Sequence, residues 1–407
     1  MKTYLAAVGL ALATLATPAA WAQSTPDPAQ PPAQPAPSPD TTASEPVFTP
    51  EHISPGKPAT APDEPITTDR IVIASTERII LNFFGDVSFL KLSNQDPGFA
   101  IGPLGFQVTA HLAEGLVGRT EFAMEFEDGE TVVDVERAYL EYRTSHWLFS
   151  AGRTHAELGY WNNAFHHGRW LQLTIDRPRV LRFEDDGGML PIHQVGATIG
   201  YGPKRGEPGV EFAVGVGNGH GRVLELIQTK GDNNPAKSVL LRAGVVGLGH
   251  PALRFGVNVA VDSIAAEPAL VRPLAPDVSI LEVITGAYLA LRAEQVLVFS
   301  ETYDVLHRAM GTSWHVTDGF LLAGYRIGPY TPYAQLELRR GDGATDPFYN
   351  PGSTINSETV PPLDYTEGIA GLHYDLNTWS ALKLELSARR QGDVDDYRVE
   401  LNWSFGR

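Results

Sequence analysis

Cysteine is absent from the 407-residue chain, and so is any long apolar segment after the first residues. Without cysteine the protein has no disulfide framework and no lipid-anchored cysteine. A membrane-spanning helix needs about 20 mostly apolar residues, and no later stretch offers that length. If the chain crosses a membrane it must therefore use strands, because only helices and closed barrels satisfy every backbone group in lipid.

The chain also lacks an excess of positive charge. Its formal net charge of -17 argues against nucleic acid as a partner and against docking on an anionic lipid surface. The hydrophobic content of 43% fits a soluble protein as well as a barrel with a wet lumen, since half of each barrel strand is polar. Composition therefore leaves the fold open, and the order of the residues must decide it.

Two segments precede the patterned part of the chain. Residues 1–22 have a positive start, a short apolar run and the small-x-small site Ala20-Trp21-Ala22, which is typical of a secretory signal peptide. Residues 23–68 are rich in Pro, Ala, Ser, Thr and Asp, which predicts a disordered periplasmic linker because repeated proline removes backbone donors and little apolar mass remains to bury. Whether this linker binds the cell wall or a partner stays open. Residues 69–407 then form one folded domain.

In residues 69–407, apolar and polar residues alternate with a period of two. The odd positions of 253–262 are all apolar, whereas the even positions are Arg254, Gly256, Asn258, Ala260 and Asp262. Residues 397–405 repeat the pattern. Because successive side chains of a strand point to opposite faces, each such run has one apolar face and one polar or small face.

Counting these runs predicts about sixteen antiparallel strands. They are 82–92, 105–113, 117–127, 132–143, 147–156, 193–202, 210–217, 238–247, 253–263, 279–291, 295–306, 314–327, 331–341, 364–376, 380–390 and 395–405. Connections after the even strands are mostly tight, whereas the long ones, 157–192, 218–237, 263–278 and 342–363, all follow odd strands. This asymmetry predicts an all-β protein, a transmembrane antiparallel β-barrel of the outer membrane with both termini periplasmic.

A soluble sandwich also alternates, but three features favour the membrane barrel. Predicted strand lengths of about 10 residues match a tilted crossing of the hydrocarbon layer. Aromatic residues lie near strand ends and would form interfacial girdles: Trp147, Tyr201, Tyr325, Tyr374, Trp379 and Trp403. The polar faces carry charges of both signs, which are predicted to face a water-filled lumen: Arg119, Glu121, Arg254, Asp262, Glu337, Arg339, Lys383, Glu385 and Arg389.

Three short segments carry a resemblance to a known family. Leu401-Asn402-Trp403-Ser404-Phe405 resembles the C-terminal signal that the barrel-assembly machinery recognises, although Gly406-Arg407 follow the aromatic residue. Residues 137–153 and 364–390 resemble hairpins of Gram-negative, sixteen-stranded porins, including phosphate-selective porins. The resemblance implies a passive channel for small hydrophilic solutes or ions, embedded in outer-membrane lipid and lipopolysaccharide, in which the third loop of the long-loop rim, the one after the fifth strand, enters the lumen. It also implies a possible homotrimer.

The connection 157–192 falls in the place of that loop and concentrates charged residues. The predicted pore constriction comprises Arg153, His155, Glu157, His166, His167, Arg169, Arg177, Arg179, Arg182, Glu184, Asp185 and Asp186. Basic residues would face one side of the opening and acidic residues, with Asp176 among them, the other, which sets a transverse field. The alternative is that these residues only pin the loop to the wall by ion pairs.

The remaining functional classes have weaker support in the sequence. Adjacent histidines of an extended backbone point apart, so His166 and His167 do not suit one metal ion, and no metal site or cofactor is predicted. No spacing singles out a catalytic trio and Gly-x-Ser-x-Gly is missing, so an enzyme is not predicted. An alternative to the porin is the barrel scaffold of a periplasm-linked export or electron-transfer assembly. The identity of the solute stays open.

Overall fold

A computed structural model describes the folded part of the chain. The residues described are 75–76, 78–93, 95–127, 130–165, 169, 172–182, 188–204, 206–219, 236–265, 278–346, 348–349 and 364–406. The predicted signal peptide and the linker 23–68 lie outside the described residues. Within the described part, no helix combines the length and apolar character that a membrane crossing requires.

Sixteen long strands dominate the described residues. In chain order they are β1 Ile79–Leu92, β2 Leu104–Ala113, β3 Leu116–Glu127, β4 Glu130–Arg143, β5 Trp147–His155, β6 His193–Tyr201, β7 Gly209–Gly217, β8 Ser238–Val246, β9 Leu253–Ala265, β10 Ser279–Arg292, β11 Val296–Ala309, β12 Thr312–Tyr325, β13 Tyr330–Gly341, β14 Tyr365–Asn377, β15 Ser380–Gln391 and β16 Val394–Gly406. The sequence predicted all sixteen, and the ends differ by a few residues because boundaries depend on local turn geometry.

Each strand pairs antiparallel with its neighbour along the chain, and β16 pairs with β1. The pairs Trp403 with Val87 and Leu401 with Phe89 belong to this closing seam. The sheet is therefore a closed barrel, which confirms the predicted fold class. Sixteen tilted strands about 4.8 Å apart give a tube about 30 Å across.

Two short strands were not predicted. Ser75–Thr76 pairs with the start of β1, and Gly98–Ile101 pairs with its second half. The latter would be continuous with β2, but Gly102 and Pro103 interrupt it. Proline has no N–H to donate to the ladder, and the Gly102 N–H turns to the carbonyl of Asp86, 3.0 Å away. The interruption therefore costs the sheet little of its pairing.

The alternating pattern places apolar side chains on the outside. On β16, Val399, Leu401 and Trp403 are each more than two-fifths exposed, whereas Glu400 and Asn402 are buried. The same division holds along β9 and β15. Because odd and even residues face opposite sides of the wall, a band of Val, Leu and Phe covers the outer surface.

The six aromatic residues named from the sequence share one rim of the barrel. Trp147 begins β5, Tyr201 ends β6, Tyr325 ends β12 and Trp379 lies in the turn after β14; Tyr374 and Trp403 lie close to the ends of β14 and β16. That rim carries the short connections and both ends of the barrel chain. These residues therefore form one belt rather than two.

The inner face is not polar throughout, and here the structure differs from the expectation. Inward-facing positions of β9 to β13 include many buried apolar side chains, namely Ala260, Ile264, Ile280, Ile284, Tyr288, Phe299, Tyr303, Phe320, Leu322 and Tyr333. They form one core with apolar residues of the connection between β5 and β6. Both faces of these strands therefore carry apolar side chains, because part of the inside packs against protein rather than water.

The candidate pore site

The described residues of the connection 156–192, which we name the inward loop, pack against the inner wall of the barrel. Its two ends meet at Asn162, whose side-chain amide donates to the carbonyl oxygens of Ala156 and Ile192 at 3.1 and 3.0 Å. Ala156 N–H also donates to Ile192 at 2.9 Å. These bonds close the neck of the loop, so its two ends leave the wall together.

The first part of the inward loop contains a short helix, α1 Trp161–Ala164. The carboxylate of Glu301 on β11 accepts the N–H groups of Tyr160 and Trp161 at 2.8 and 2.6 Å. Helix N-termini present unsatisfied donors and favour negative charge. Glu301 therefore caps this turn from the wall, and Asn258 adds a bond from Gly159 N–H at 3.1 Å.

Aromatic packing holds the same part of the loop. The Trp161 ring lies 5.5 Å from Phe299 and 5.4 Å from Phe320 in edge-to-face geometry. Phe165 meets Phe299 at 5.3 Å. Burying side chains of this size is worth about 1.5–3 kcal/mol each, so α1 is held by apolar burial as well as by Glu301.

The second part of the loop is held by Lys383 of β15. Its ammonium donates to the backbone carbonyl oxygens of Arg169, Gln172 and Thr174, the last two at 2.8 and 2.9 Å. Glu385, two residues along the same strand, accepts the Ile175 N–H at 2.7 Å. The positively charged Lys383 thus binds backbone carbonyl oxygens of the loop, and the negatively charged Glu385 binds a backbone N–H.

Asp176 lies at the centre of a charged network. Arg169 contacts it at 2.9 Å, Arg182 at 3.5 Å, and Arg398 of β16 forms a further ion pair. Burial alone would raise the pKa of Asp176, but Arg398, Arg169 and Arg182 outweigh it and hold the pKa far below the ordinary 3.8. Asp176 therefore lies among the arginines, not across an opening from them as the sequence analysis expected.

Arg169 also joins two strands of the wall. Its guanidinium contacts Asp86 of β1 at 3.0 Å and Glu400 of β16 at 3.4 Å. Ser88 accepts from it at 3.0 Å. Asn402 donates to both Asp86 and Ser88. One loop residue therefore bridges the seam where the barrel closes.

The far end of the loop reaches the opposite wall. Arg179 N–H donates to Glu337 of β13 at 2.8 Å, and its guanidinium lies 5.0 Å from the centre of the Tyr365 ring. β13 is seven strands away from β6, where the loop returns to the wall. The loop therefore has contacts on nearly opposite sides of the sheet.

The other predicted constriction residues lie near the root of the loop or within it. Arg153 donates to the carbonyl of Glu136 at 3.0 Å, and the His155 ring is 5.9 Å from that of His193. Glu157 pairs with Arg242 at 3.0 Å, and Arg177 donates to the carbonyl of Leu181 at 3.1 Å. His166, His167, Glu184, Asp185 and Asp186 lie outside the described residues. Most of the described set thus contacts the wall or its own loop.

A register shift explains the position of Arg153. Glu121 of β3 pairs with Arg137 of β4 while Phe122 pairs with Val135, so Glu136 is the extra residue of a β-bulge. A bulge of this kind leaves a backbone group free, and Arg153 uses the carbonyl of Glu136. The alternation of apolar and polar residues could not predict this hydrogen bond, because the bulge leaves the types of residue in the sequence unchanged.

The nine predicted lumen-facing residues all lie on the inner side of the wall. Arg119 lies over the ring of Tyr139. Arg254 pairs with Glu211 at 3.5 Å, and Arg389 pairs with Asp396 at 3.6 Å. Glu121 accepts from Arg137, Arg339 pairs with Asp318 at 2.7 Å, and Asp262 and Glu337 are buried. Lys383 and Glu385 bind the loop. The predicted lumen-facing set did not include Asp86, Arg242, Glu301, Arg398 or Glu400, although they occupy the same polar positions in alternating strands.

A second connection is held to the wall by His307 of β11. Its Nδ1 lies 2.7 Å from Asp346 and its Nε2 3.0 Å from Glu282. Phe348 and Tyr349 pack on the imidazole, with ring centres 5.2 and 5.1 Å away. His307 therefore joins residues 342–346 and 348–349 to the wall through both of its ring nitrogens.

Replacing His307 with leucine is expected to loosen residues 342–346 and 348–349. The substitution leaves Asp346 and Glu282 buried without their shared partner, a change that costs about 3–5 kcal/mol. Hydrogen exchange followed by mass spectrometry should show faster exchange in this segment, with the strands unchanged. His315→Leu is the control, because the exposed His315 has a similar pair with Asp304 at 3.2 Å. Equal exchange in both variants would contradict the assignment.

Among the residues with described positions, no three of His, Asp or Glu are arranged to hold a metal ion. The charged groups instead pair with arginine, lysine or backbone. The chemistry that this arrangement offers is electrostatic, since it presents fixed charges to whatever enters the barrel.

Known structures show which fold this is. No family model and no curated protein sequence matches the chain. It is similar in structure to the anion-selective porin from Comamonas acidovorans, with a TM-score of 0.56 and 13% identity over 81% of this chain and 99% of that one. The outer-membrane channel DcaP of Acinetobacter baumannii gives 0.53 and 12% over 83% and 99%. The trimer form of OmpT, an outer-membrane protein of Vibrio cholerae, gives 0.55 and 11% over 81% and 100%. The chain therefore has the closed, sixteen-stranded barrel fold of the outer-membrane porins.

Proposed function

We propose that the protein is an outer-membrane diffusion channel for small hydrophilic solutes or ions, narrowed by the inward loop. The observation that carries the proposal is the path of this loop. It leaves the wall between β5 and β6 and bonds to Glu301 of β11, Glu337 of β13 and Lys383 of β15. A segment tied to nearly opposite walls divides the interior, and the remaining space is lined by fixed charges.

The charges at this position support selection by polarity rather than by size alone. Arg169, Arg182 and Arg398 surround Asp176, and Arg242 is shared between Glu157 and Glu211. Paired charges of both signs hold water and give a strong local field, which disfavours apolar solutes. A non-catalytic channel needs no more chemistry than this.

Electrical recording tests the channel directly. Purified full-length protein in planar lipid bilayers is expected to give discrete, long-lived conductance steps in potassium chloride. A protein that shows no conductance and co-purifies with a periplasmic protein in fixed ratio would instead favour the alternative function, the barrel scaffold of an export or electron-transfer assembly. Hydrolysis of a lipid or ester by the purified protein would favour an enzyme.

Removing charge from the loop is expected to shift ion selectivity. Arg169→Ala and Arg179→Ala each delete a positive charge of the inward loop, so the ratio of anion to cation permeability should fall by about twofold or more. Reversal potentials in a salt gradient measure this ratio. Arg143→Ala is the matched control, since the Arg143 side chain is 58% exposed and pairs with Glu141 outside the loop. Unchanged reversal potentials in both loop variants would remove the constriction from the proposal while leaving the barrel.

The proposed location and assembly follow from the same interpretation of the sequence and the fold. We infer that residues 1–22 direct export, that residues 23–68 form a periplasmic linker, and that the barrel, residues 69–407, lies in outer-membrane lipid beside lipopolysaccharide after insertion by the barrel-assembly machinery. The trimer form of the similar OmpT structure supports a homotrimer. Cross-linking in intact cells followed by denaturing electrophoresis tests the trimer.

A further inference from the structure

A cavity of about 520 Å³, partly open to solvent, lies at the neck of the inward loop, beside strands β5 to β10. The strand residues that line it lie toward the ends of these strands at the rim with the long connections. Arg169, Arg182 and Arg398, which surround Asp176, are not among its lining residues. The cavity is therefore separate from the charged network around Asp176.

Much of the cavity wall is apolar. Ala156 and Pro191 come from the inward loop, whereas Val195, Leu240 and Ala260 come from the strands. Ligand pockets in proteins are typically lined by apolar side chains, with a few polar groups that fix the orientation of the ligand. The polar groups of this cavity therefore decide which class of ligand it can hold.

The titratable side chains that line the cavity all have partners within the protein. They are Arg153 with the carbonyl of Glu136 at 3.0 Å, His193 with the carboxylate of Glu136 at 3.0 Å, Glu282 with His307 at 3.0 Å, and Asp262 with the N–H of Ser263 at 2.7 Å. A charged ligand would have to compete with these partners, and separating a buried charge from its partner is costly. The described groups of the cavity therefore favour an uncharged ligand.

Gln194 differs from these groups because its side chain is not bonded. The residue is 6% exposed, and neither Oε1 nor Nε2 has a hydrogen-bond partner among the described residues. Most buried polar side-chain atoms in proteins are hydrogen-bonded, and an unused buried donor or acceptor is costly. Since Gln194 lines the cavity, it offers an uncharged acceptor and an uncharged donor to a molecule that enters there.

Two glycines of β7 make room for this amide. A Cβ at Gly215 would come within 2.8 Å of the Gln194 Oε1 atom, and a Cβ at Gly217 would collide with the Gln194 Cγ atom. Glycine within a strand often marks a place where another group approaches the backbone closely. The backbone of β7 therefore gives the Gln194 side chain a fitted place on the inner wall, although the amide makes no hydrogen bond there.

We propose that this cavity binds a small neutral molecule that carries a primary amide, with the Gln194 side chain as its partner. A primary amide has a carbonyl acceptor for Nε2 and an N–H donor for Oε1, so the two amides form a pair of hydrogen bonds. A carboxylate or a ketone accepts but does not donate. The inference goes beyond the proposed channel, because binding at this cavity requires no passage through the barrel.

Three probes of nearly equal shape test the class of ligand. Nicotinamide carries a primary amide, nicotinate carries a carboxylate in its place, and 3-acetylpyridine carries a ketone. Each is titrated into the full-length protein in detergent by calorimetry, with protein-free micelles as the blank. Saturable binding is expected for nicotinamide, and binding at least about tenfold weaker is expected for the other two, because each leaves the Gln194 acceptor unused. Equal binding of the three probes, or no binding of nicotinamide, overturns the proposal.

Two glutamine substitutions connect the binding to this cavity. Gln194→Met keeps a similar volume and removes both amide atoms, so nicotinamide binding should weaken at least about tenfold. Gln107→Met is the matched control and should leave binding unchanged. Gln107 of β2 is also buried, but its amide is bonded to Asn82 at 2.9 Å and to Glu121 at 3.3 Å, four strands away from β6.

The thermal stabilities of the two variants should change in the opposite order. Gln107→Met loses two buried hydrogen bonds and should lower Tm, whereas Gln194→Met loses none and should leave Tm unchanged or raise it. Loss of nicotinamide binding at an unchanged Tm cannot come from unfolding. Binding that survives in Gln194→Met, or that is lost equally in Gln107→Met, overturns the site.

The failures of this proposal and of the proposed channel are distinguishable. Conductance without nicotinamide binding keeps the channel and removes the amide site. Nicotinamide binding by a protein that never conducts keeps the amide site and removes the channel function.

Discussion

The substitution Lys383→Met is expected to release the second half of the inward loop and to raise single-channel conductance. The ammonium of Lys383 is the common donor for the carbonyls of Arg169, Gln172 and Thr174. Methionine fills a similar volume but donates nothing, and each buried acceptor that loses its donor costs about 1–3 kcal/mol. Three carbonyl groups lose their donor at once, and the summed free-energy cost is large. This part of the loop should therefore detach from the wall.

Two measurements check the release. Trypsin should cut after the arginines of the loop in Lys383→Met and not in the parent protein, and conductance steps should become larger and noisier. Lys91→Met is the matched control, because Lys91 is an exposed lysine near the end of β1. A variant with the conductance and protease resistance of the parent protein would show that Lys383 does not hold the loop.

The second large effect is expected at Gly159. This residue has φ +64°, and a Cβ there would collide with the hydroxyl of Tyr303 and the carboxylate of Glu301. Gly159→Ala therefore adds left-handed strain of about 1–2 kcal/mol and also displaces the carboxylate that caps α1. We expect the part of the inward loop that contains α1 to move away from the wall. The fluorescence of Trp161 should then shift to longer wavelength.

Gly206→Ala separates the two causes. Gly206 has φ +80° with no heavy atom near the position of an added Cβ, so it reports backbone strain without collision. A small drop in Tm for Gly206→Ala, and a larger drop with changed conductance for Gly159→Ala, is the expected pair of results. If both variants behave alike, the contact between Gly159 and Glu301 does not position the loop.

The barrel itself was within reach of the sequence. Alternation with a period of two specifies which residues face out, and glycine, proline and asparagine mark the turns. Lys383 and Glu385 illustrate this, since both were placed on the inner face by parity alone. The long connections after odd strands then fixed which rim carries the loops.

The partners of the loop were not within reach. Parity places Arg398 and Glu301 inside, but it does not say which loop atom each meets, because that depends on a path through three dimensions. The apolar inner surface at Phe299 and Phe320 was missed for a related reason. Apolar residues on both faces of a strand indicate burial on both sides, and the prediction assumed water inside.

The arrangement of charges was the least predictable part. Asp176 was expected across the opening from the arginines, on the side of the other acidic residues. The loop instead folds so that Asp176 lies between Arg169 and Arg398, where burial rewards close pairing of opposite charges. Sequence spacing carries no information about this choice.

The bridge made by Arg169 has a consequence for how the tube is made. Asp86 lies on the first strand and Glu400 on the last, and these two strands are the most distant in the chain, so their union is the slowest contact to find. The inward loop, attached to the wall between the fifth and sixth strands, carries a cation for both edges and acts as an internal clasp. Weakening the Arg169 bridge should slow the final pairing of β16 with β1 more than it lowers the stability of the closed barrel.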